Sequence, residues 1–181
     1  MRADAARNLS NVLRTGARLL AEDPGASMAA IASAAGVDRT TVHRRFATRE
    51  ALLAAVFQAK LDSAEQVLDD ARLLQAPVPV ALHRYVEGII PVSREWPVDT
   101  GRMMQQDPSA SERRQEQSQR LTRFIERAID EGFLRSDVSA AWARAVLDQL
   151  VQSAAHQFPD MAAPEAADMV VDTLVRGLGT S

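Results

Sequence analysis

Apolar side chains recur along this 181-residue chain at every third or fourth position, and proline and glycine interrupt them at intervals. An amphipathic α-helix requires that period, because about 3.6 residues per turn return positions i, i+3, i+4 and i+7 to one face. Leu9, Val12, Leu13, Gly16 and Leu20 form a first stripe, ended by Asp23-Pro24-Gly25. Ser27 is placed to cap a second, short helix with Met28, Ile31, Ala32 and Ala35 inward and Gly36 closing it. Asp38 then caps a third helix, whose inner face is Val42 and Phe46, one turn apart.

Thr48 caps a fourth helix, in which Leu53, Val56, Phe57, Lys60, Ala64, Val67, Leu68 and Ala71 recur for about six turns. Pro77 and Pro79 break it. Leu82, Tyr85, Val86 and Ile89 predict a fifth helix that stops before Pro91, since an interior proline has no amide to donate and crowds the preceding turn. Trp96-Pro97 begins an irregular piece, with a short helix expected over 101–106. The stretch 107–120, whose one apolar side chain is Ala110, reads as solvated. Leu121, Phe124, Ile125, Ala128 and Ile129 restore the stripe, and Gly132 closes it in a left-handed cap with Phe133 folding back. From Ala140 to Phe158 a long helix carries Trp142, Val146, Leu150 and Ala154. Pro164 opens the last helix, with Ala167, Val170, Val171, Leu174 and Leu178 on one face. The expectation is an all-α protein of about nine helices. Its N-terminal three-helix domain spans 1–47, and a C-terminal helical domain spans 48–181.

Composition narrows the class. Hydrophobic residues at 46% and charged ones at 25% suit a folded globular chain rather than a disordered one. The absence of cysteine excludes disulfides, thiolate metal sites and cysteine nucleophiles, and leans towards a cytoplasmic location. The arginine-interrupted N-terminus has no unbroken apolar segment, so neither a secretory signal nor a membrane contact is expected. The net charge of −3 hides an asymmetry: residues 1–60 hold nine basic and five acidic side chains, residues 61–181 twelve and nineteen. A basic first third on an acidic remainder suits a chain whose first part meets a polyanion.

The two short helices over about 27–46, joined by Gly36-Val37-Asp38, have the spacing of a helix-turn-helix, whose second helix lies in the DNA major groove. With Val42 and Phe46 inward, about 100° per residue sets Thr40 and Arg44 on the opposite side, flanked by Thr41 and His43. Threonine can touch thymine methyls or bond base edges, and arginine can pair with guanine for about 1–3 kcal/mol of discrimination. Arg39 and Arg45, at the edges, are assigned mainly to phosphates, which give register and affinity but little sequence information. Ser27 and Arg49, each at a helix N-terminus, suit the same task.

Residues 27–57, "SMAAIASAAGVDRTTVHRRFATREALLAAVF", resemble the DNA-binding domain of TetR/AcrR-type transcriptional regulators. The resemblance is carried by Ile31-Ala32, Ala35-Gly36-Val37, Thr41, Phe46 and Arg49-Glu50-Ala51-Leu52-Leu53, and "DEGFLRSDVS", 130–139, resembles the segment before that family's dimerising helices. His43 stands where the family usually has a tyrosine, and Arg49 where it has a lysine, both commonly contacting the DNA backbone. Arg49 preserves the charge; His43 keeps a donor with a shorter reach, and its partial protonation would make binding pH-sensitive.

The resemblance implies an effector-binding domain with a ligand cavity among the helices between Thr48 and Phe158. It also implies a homodimer through the last two helices, binding double-stranded DNA at a palindromic operator. The implied protein is a repressor released by a small, mainly apolar ligand. Six of the eight aromatic residues lie beyond residue 60. Tyr85, Trp96, Met103, Met104, Phe124, Trp142, His156 and Phe158 are the candidates to line a pocket, though each suits ordinary core packing as well. His83 and Glu87, one turn apart, are too few to hold a metal, so no metal and no cofactor are expected. The chain has no phosphate-cradling glycine loop, no Gly-x-Ser-x-Gly and no His-Glu-x-x-His, so no enzyme activity is expected. The competing readings are an all-helical small-molecule-binding protein or enzyme without sequence-specific DNA binding, and a family member whose DNA contacts have decayed.

Overall fold

Helix forms wherever the apolar period runs unbroken, and the computed structural model, which describes residues 2–98 and 108–180, contains eight helices. They are α1 (Arg2–Glu22), α2 (Met28–Ala34), α3 (Arg39–Arg45), α4 (Arg49–Ala71), α5 (Val78–Glu95), α6 (Pro108–Asp130), α7 (Ala140–His156) and α8 (Ala163–Leu178). Among the described residues the only β-pairing is an isolated antiparallel bridge between Leu134 and Gly179, so the all-α expectation holds. The short helix expected over 101–106 lies outside the described residues. No described helix is long and apolar enough to cross a membrane.

Helix starts are set by short polar side chains that accept otherwise orphaned amides. Ser27 Oγ takes Ala30 N at 3.1 Å, Asp38 Oδ1 takes Thr40 N at 2.7 Å, Thr48 Oγ1 takes Ala51 N at 3.1 Å and Ser139 Oγ takes Trp142 N at 3.2 Å. The chain divides into two compact units, Met1–Asp62 with Glu95–Ser111, and Ser63–Arg94 with Glu112–Ser181. In the first, α1 packs on α2 and α2 on α3 over buried Val12, Ile31, Val42, Leu52 and Val56. The buried stripe of α4 leads with Leu52 rather than Leu53, which is only half-buried. The second unit holds a continuous core that includes Leu82, Val86, Phe124, Leu147 and Leu174. There α5 approaches α4 so closely that a Cβ added at Gly88 would lie 2.8 Å from Val67.

Three expectations are corrected. First, α5 runs through Pro91 to Glu95 instead of stopping before it. Pro91 is exposed, while Ile90, Val92 and Ser93 beside it are buried, so the missing amide falls on the solvent side. Beyond it Arg94 donates to the carbonyls of Ala154, Phe158 and Met161 at 3.2, 2.9 and 2.8 Å. Such burial and anchoring outweigh the roughly 3 kcal/mol that an interior proline costs. Second, residues 108–120 are the first half of α6 rather than a solvated stretch. Within the second unit polar contacts hold it: Arg113 to Glu65 at 2.8 Å and Arg120 to Asp69 at 2.6 Å, both reaching α4. Arg144 adds bonds to the carbonyl and hydroxyl of Ser118, at 2.6 and 2.9 Å.

Third, the stripes of the last two helices part company. In α7 the core-facing set is Ala143, Leu147, Val151 and Ala155, one residue on from Trp142 and Val146, and Trp142 is 61% exposed. In α8 the expected stripe of Ala167, Val170, Leu174 and Leu178 is buried within its own unit. Small residues decide this: Ala143 and Ala155 let α7 sit close to its neighbours, which a tryptophan in their place would prevent. After α6, Gly132 takes φ +72 and Phe133 N bonds Ala128 O at 2.9 Å. The chain end then returns to this turn. Arg135 N reaches Leu178 O at 2.9 Å, and Thr180 Oγ1 donates to Gly132 O at 2.7 Å.

Candidate nucleic-acid interface

The second and third helices are set by one turn. Gly36 has φ +63, a conformation that side chains disfavour, and Val37 N bonds back to Ala32 O at 3.0 Å. Nothing lies within 4 Å of a Cβ added there, so the requirement for glycine is conformational rather than steric. From α1, Asn11 Nδ2 donates to Ala35 O at 2.7 Å and so clasps the end of α2. No periodicity marks Asn11, since it sits on the polar side of its helix, and sequence reasoning passed over it.

On α3, Val42 and Phe46 are buried, whereas Arg39, Thr40, His43, Arg44 and Arg45 are exposed and Thr41 is half-buried. Two side chains are already engaged. Thr40 Oγ1 donates to Asp38 Oδ1, which leaves its methyl and lone pairs for other contacts. Arg39 Nε donates to His43 Nε2 at 3.4 Å, a long bond that requires an unprotonated ring nitrogen. Arg49 is half-buried, its Nη2 donating to the Pro24 carbonyl, and its Nε is buried without a partner among the described residues. Ser27 is exposed; its oxygen accepts the Ala30 amide and its proton stays available to donate.

The hydroxyl of Thr40, and then its amide, hold the Asp38 carboxyl below its ordinary value. A depressed folded-state pKa means the cap contributes fully above the unfolded value of about 4 and is lost as pH falls through the folded one. Thermal melts of wild type and Asp38→Leu between pH 2 and 7 should therefore differ above the carboxylate range and converge in acid. A gap constant across the whole range would exclude this role.

Among the described residues the C-terminal candidates divide between the two units and between core and surface. Tyr85 and Phe124 are buried in the core of the second unit, where desolvation, reinforced by the Asp148 carboxylate, pushes the Tyr85 phenol well above its ordinary value. Trp96 is buried in the first unit, and its indole Nε1 has no partner among the described residues. Trp142, His156 and Phe158 are exposed, and Met103 and Met104 lie outside the described residues. His83 sits between two carboxylates, Nε2 at 2.9 Å from Asp168 and Nδ1 at 3.6 Å from Glu87. Among the described residues no group of three or more such side chains could hold a metal ion.

Residues 12–56 match the family model described as bacterial regulatory proteins, tetR family. Over 69 residues the chain is 41% identical to the HTH-type transcriptional repressor LfrR of Mycolicibacterium smegmatis, a stretch that makes up 38% of this chain and 36% of that protein. The sequence match thus spans little more than a third of that relative. The crystal structure of the TetR-like transcriptional regulator LfrR from Mycobacterium smegmatis in complex with proflavine aligns over 97% of this chain and 99% of its own, with a TM-score of 0.74 and 27% identity. The ketosteroid transcriptional regulator KstR2 of Mycobacterium tuberculosis aligns with a TM-score of 0.80 over 96% of this chain and 95% of its own. At 16% identity that second likeness concerns the fold alone.

Proposed function

We propose that this chain, which belongs to the TetR family of bacterial regulatory proteins, is a cytoplasmic repressor that binds a palindromic operator as a homodimer and is released by a small, mainly apolar ligand. The observation that carries the reading is the division of α3, with Val42 and Phe46 buried and Arg39, Thr40, His43, Arg44 and Arg45 exposed. On this reading residues 1–47 are the DNA-binding domain and 48–181 the effector-binding and dimerisation domain. Thr40, Thr41 and Arg44 read base edges, Thr40 through its methyl. Arg39, Arg45, Arg49 and Ser27 hold phosphates, and His43 contributes a backbone contact.

Two such helices in a dimer would lie about 34–36 Å apart, one turn of DNA, which is why a palindrome is expected. The exposed side of α7 supports the dimer: Ala141, Trp142, Ala145, Gln149, Gln152 and His156 include an exposed tryptophan and no carboxylate, lysine or arginine, as suits an interface core. A relative crystallised with proflavine supports a small-molecule effector. The ligand would act through α4, a single helix with Leu52 and Val56 in the first unit and Leu68 and Ala71 in the second, by changing the separation of the two recognition helices.

Selection of bound DNA from a random pool, followed by footprinting, tests the reading. A discrete palindromic footprint whose affinity falls steeply with salt is expected. Uniform weak binding along any DNA would favour a helical ligand-binding protein without operator recognition.

A further inference from the structure

An open-sided groove of about 620 Å³ lies on the second unit where α4 ends, walled by Leu68, Asp69, Arg72, Leu74, Arg120 and Arg123. Its charge is unlike that of the surrounding chain. Residues 61–181 hold nineteen acidic and twelve basic side chains, yet here three guanidiniums meet one carboxylate. Asp69 takes Arg120 Nη2 at 2.6 Å, which leaves Arg72 and Arg123 without an acidic partner among the described residues.

Arg72 is the one described non-glycine residue with positive φ, at +51. The turn that holds it there is closed by its own carbonyl, which accepts Gln75 N and Ala76 N at 3.0 Å. One cation near the end of α4 would answer the partial negative charge of a helix C-terminus; Arg120 and Arg123 arrive from α6 in addition. Beside them Leu74 is 49% exposed and gives the groove an apolar edge over the buried Leu68. Paired guanidinium forks recognise planar or tetrahedral oxyanions by parallel N–H donation, and a volume in the range of about 300–1,000 Å³ is that of small-molecule sites.

We propose that this groove binds a small organic oxyanion, a carboxylate or phosphate ester carried on an apolar body. Arg72 and Arg123 hold the anion, Asp69 fixes the plane of Arg120 beside it, and Leu74 covers the body. The site involves the second unit alone and is independent of the DNA-binding reading.

Calorimetric titration of the full chain with 1-naphthyl phosphate, 1-naphthoate and neutral 1-naphthol, at one ionic strength, tests it. One saturable site is expected for at least one acid, with naphthol weaker by at least ~10-fold, the size of one charged hydrogen bond. The tighter of the two acids identifies the headgroup. Arg72→Gln combined with Arg123→Gln should weaken that acid by a similar factor, and Leu74→Asp, which leaves every arginine in place, should weaken it too. Arg18→Gln, exposed on α1 in the other unit and outside the groove, should leave that affinity unchanged. Equal affinity for naphthol, wild-type affinity in the double variant or in Leu74→Asp, sensitivity to Arg18→Gln, or no binding by either acid would each overturn the proposal.

Discussion

Arg44→Ala is expected to lower affinity for the selected operator by about a hundredfold or more, because each recognition helix of a dimer would lose a base contact worth about 1–3 kcal/mol. Position, rather than charge alone, sets this expectation. Arg44 lies opposite the buried Val42 and Phe46, near the end of its helix, and is exposed with no hydrogen bond or ion pair among the described residues. Its removal should leave the melting temperature unchanged, as exposed substitutions away from structural features usually do. Competition binding against operators changed at single base pairs provides the decisive measurement. Arg44→Ala should flatten the preference at one symmetric pair of positions. Arg45→Ala should instead weaken all sequences alike and reduce the salt slope by about 1 for each phosphate it no longer neutralises. A uniform loss with Arg44→Ala would move Arg44 from reading to gripping.

Trp142→Glu should dissociate the proposed dimer and with it most of the operator affinity, since a tethered second half-site multiplies binding by about 10²–10⁴. The indole is 61% exposed on a helix face that otherwise offers alanine, glutamine and His156, and the core beneath it is formed by Ala143, Leu147 and Val151. In the proposed dimer a glutamate there would meet water in the monomer and an apolar partner across the seam, so the charge would act on association and not on folding. Sedimentation at micromolar protein should show a monomer with an unchanged helical spectrum. Met169→Glu, at a residue 53% exposed on α8, probes the second helix of the same seam. If both variants remain dimeric and bind operator normally, the seam lies elsewhere on the chain.

The starts of α2, α3 and α4 were legible because the devices that set them are local. Ser27, Asp38 and Thr48 each cap from within three residues of the amide they accept, and Gly36 and Gly132 end their helices by conformations written into glycine itself. The inward pair Val42 and Phe46 was legible for the same reason, one turn apart on a short helix. What escaped depends on partners distant in sequence. The first half of α6 has almost no apolar signal, and its contacts come from Glu65, Asp69 and Arg144, up to 51 residues away. Pro91 halts a helix in isolation, and only Arg94 reaching carbonyls 60 to 67 residues on explains why this one continues. In α7, Trp142 and Leu147 are equally apolar letters one stripe apart, and the pattern alone does not say which of them faces the core.

The same limit applies within the candidate interface. That Thr40 is a polar residue on an outward face can be read from spacing. That its hydroxyl proton is spent on Asp38 cannot, because it depends on a rotamer. The consequence is chemical: of the two contacts open to a threonine, the methyl remains and the hydroxyl donor does not, which suits thymine.

The return of the chain end to the turn after α6 has an evolutionary consequence. The bridge between Leu134 and Gly179, with Arg135 bonded to Leu178 and Thr180 to Gly132, closes a loop of about 45 residues largely through main-chain atoms that nearly any sequence supplies. That closure rests on main-chain groups together with the Thr180 hydroxyl, and on glycine at 132, with φ +72, and at 179, where an added Cβ would meet the Val175 carbonyl. If the proposed dimer forms through α7 and α8, changes on their outward faces could alter the partner while this closure keeps the scaffold.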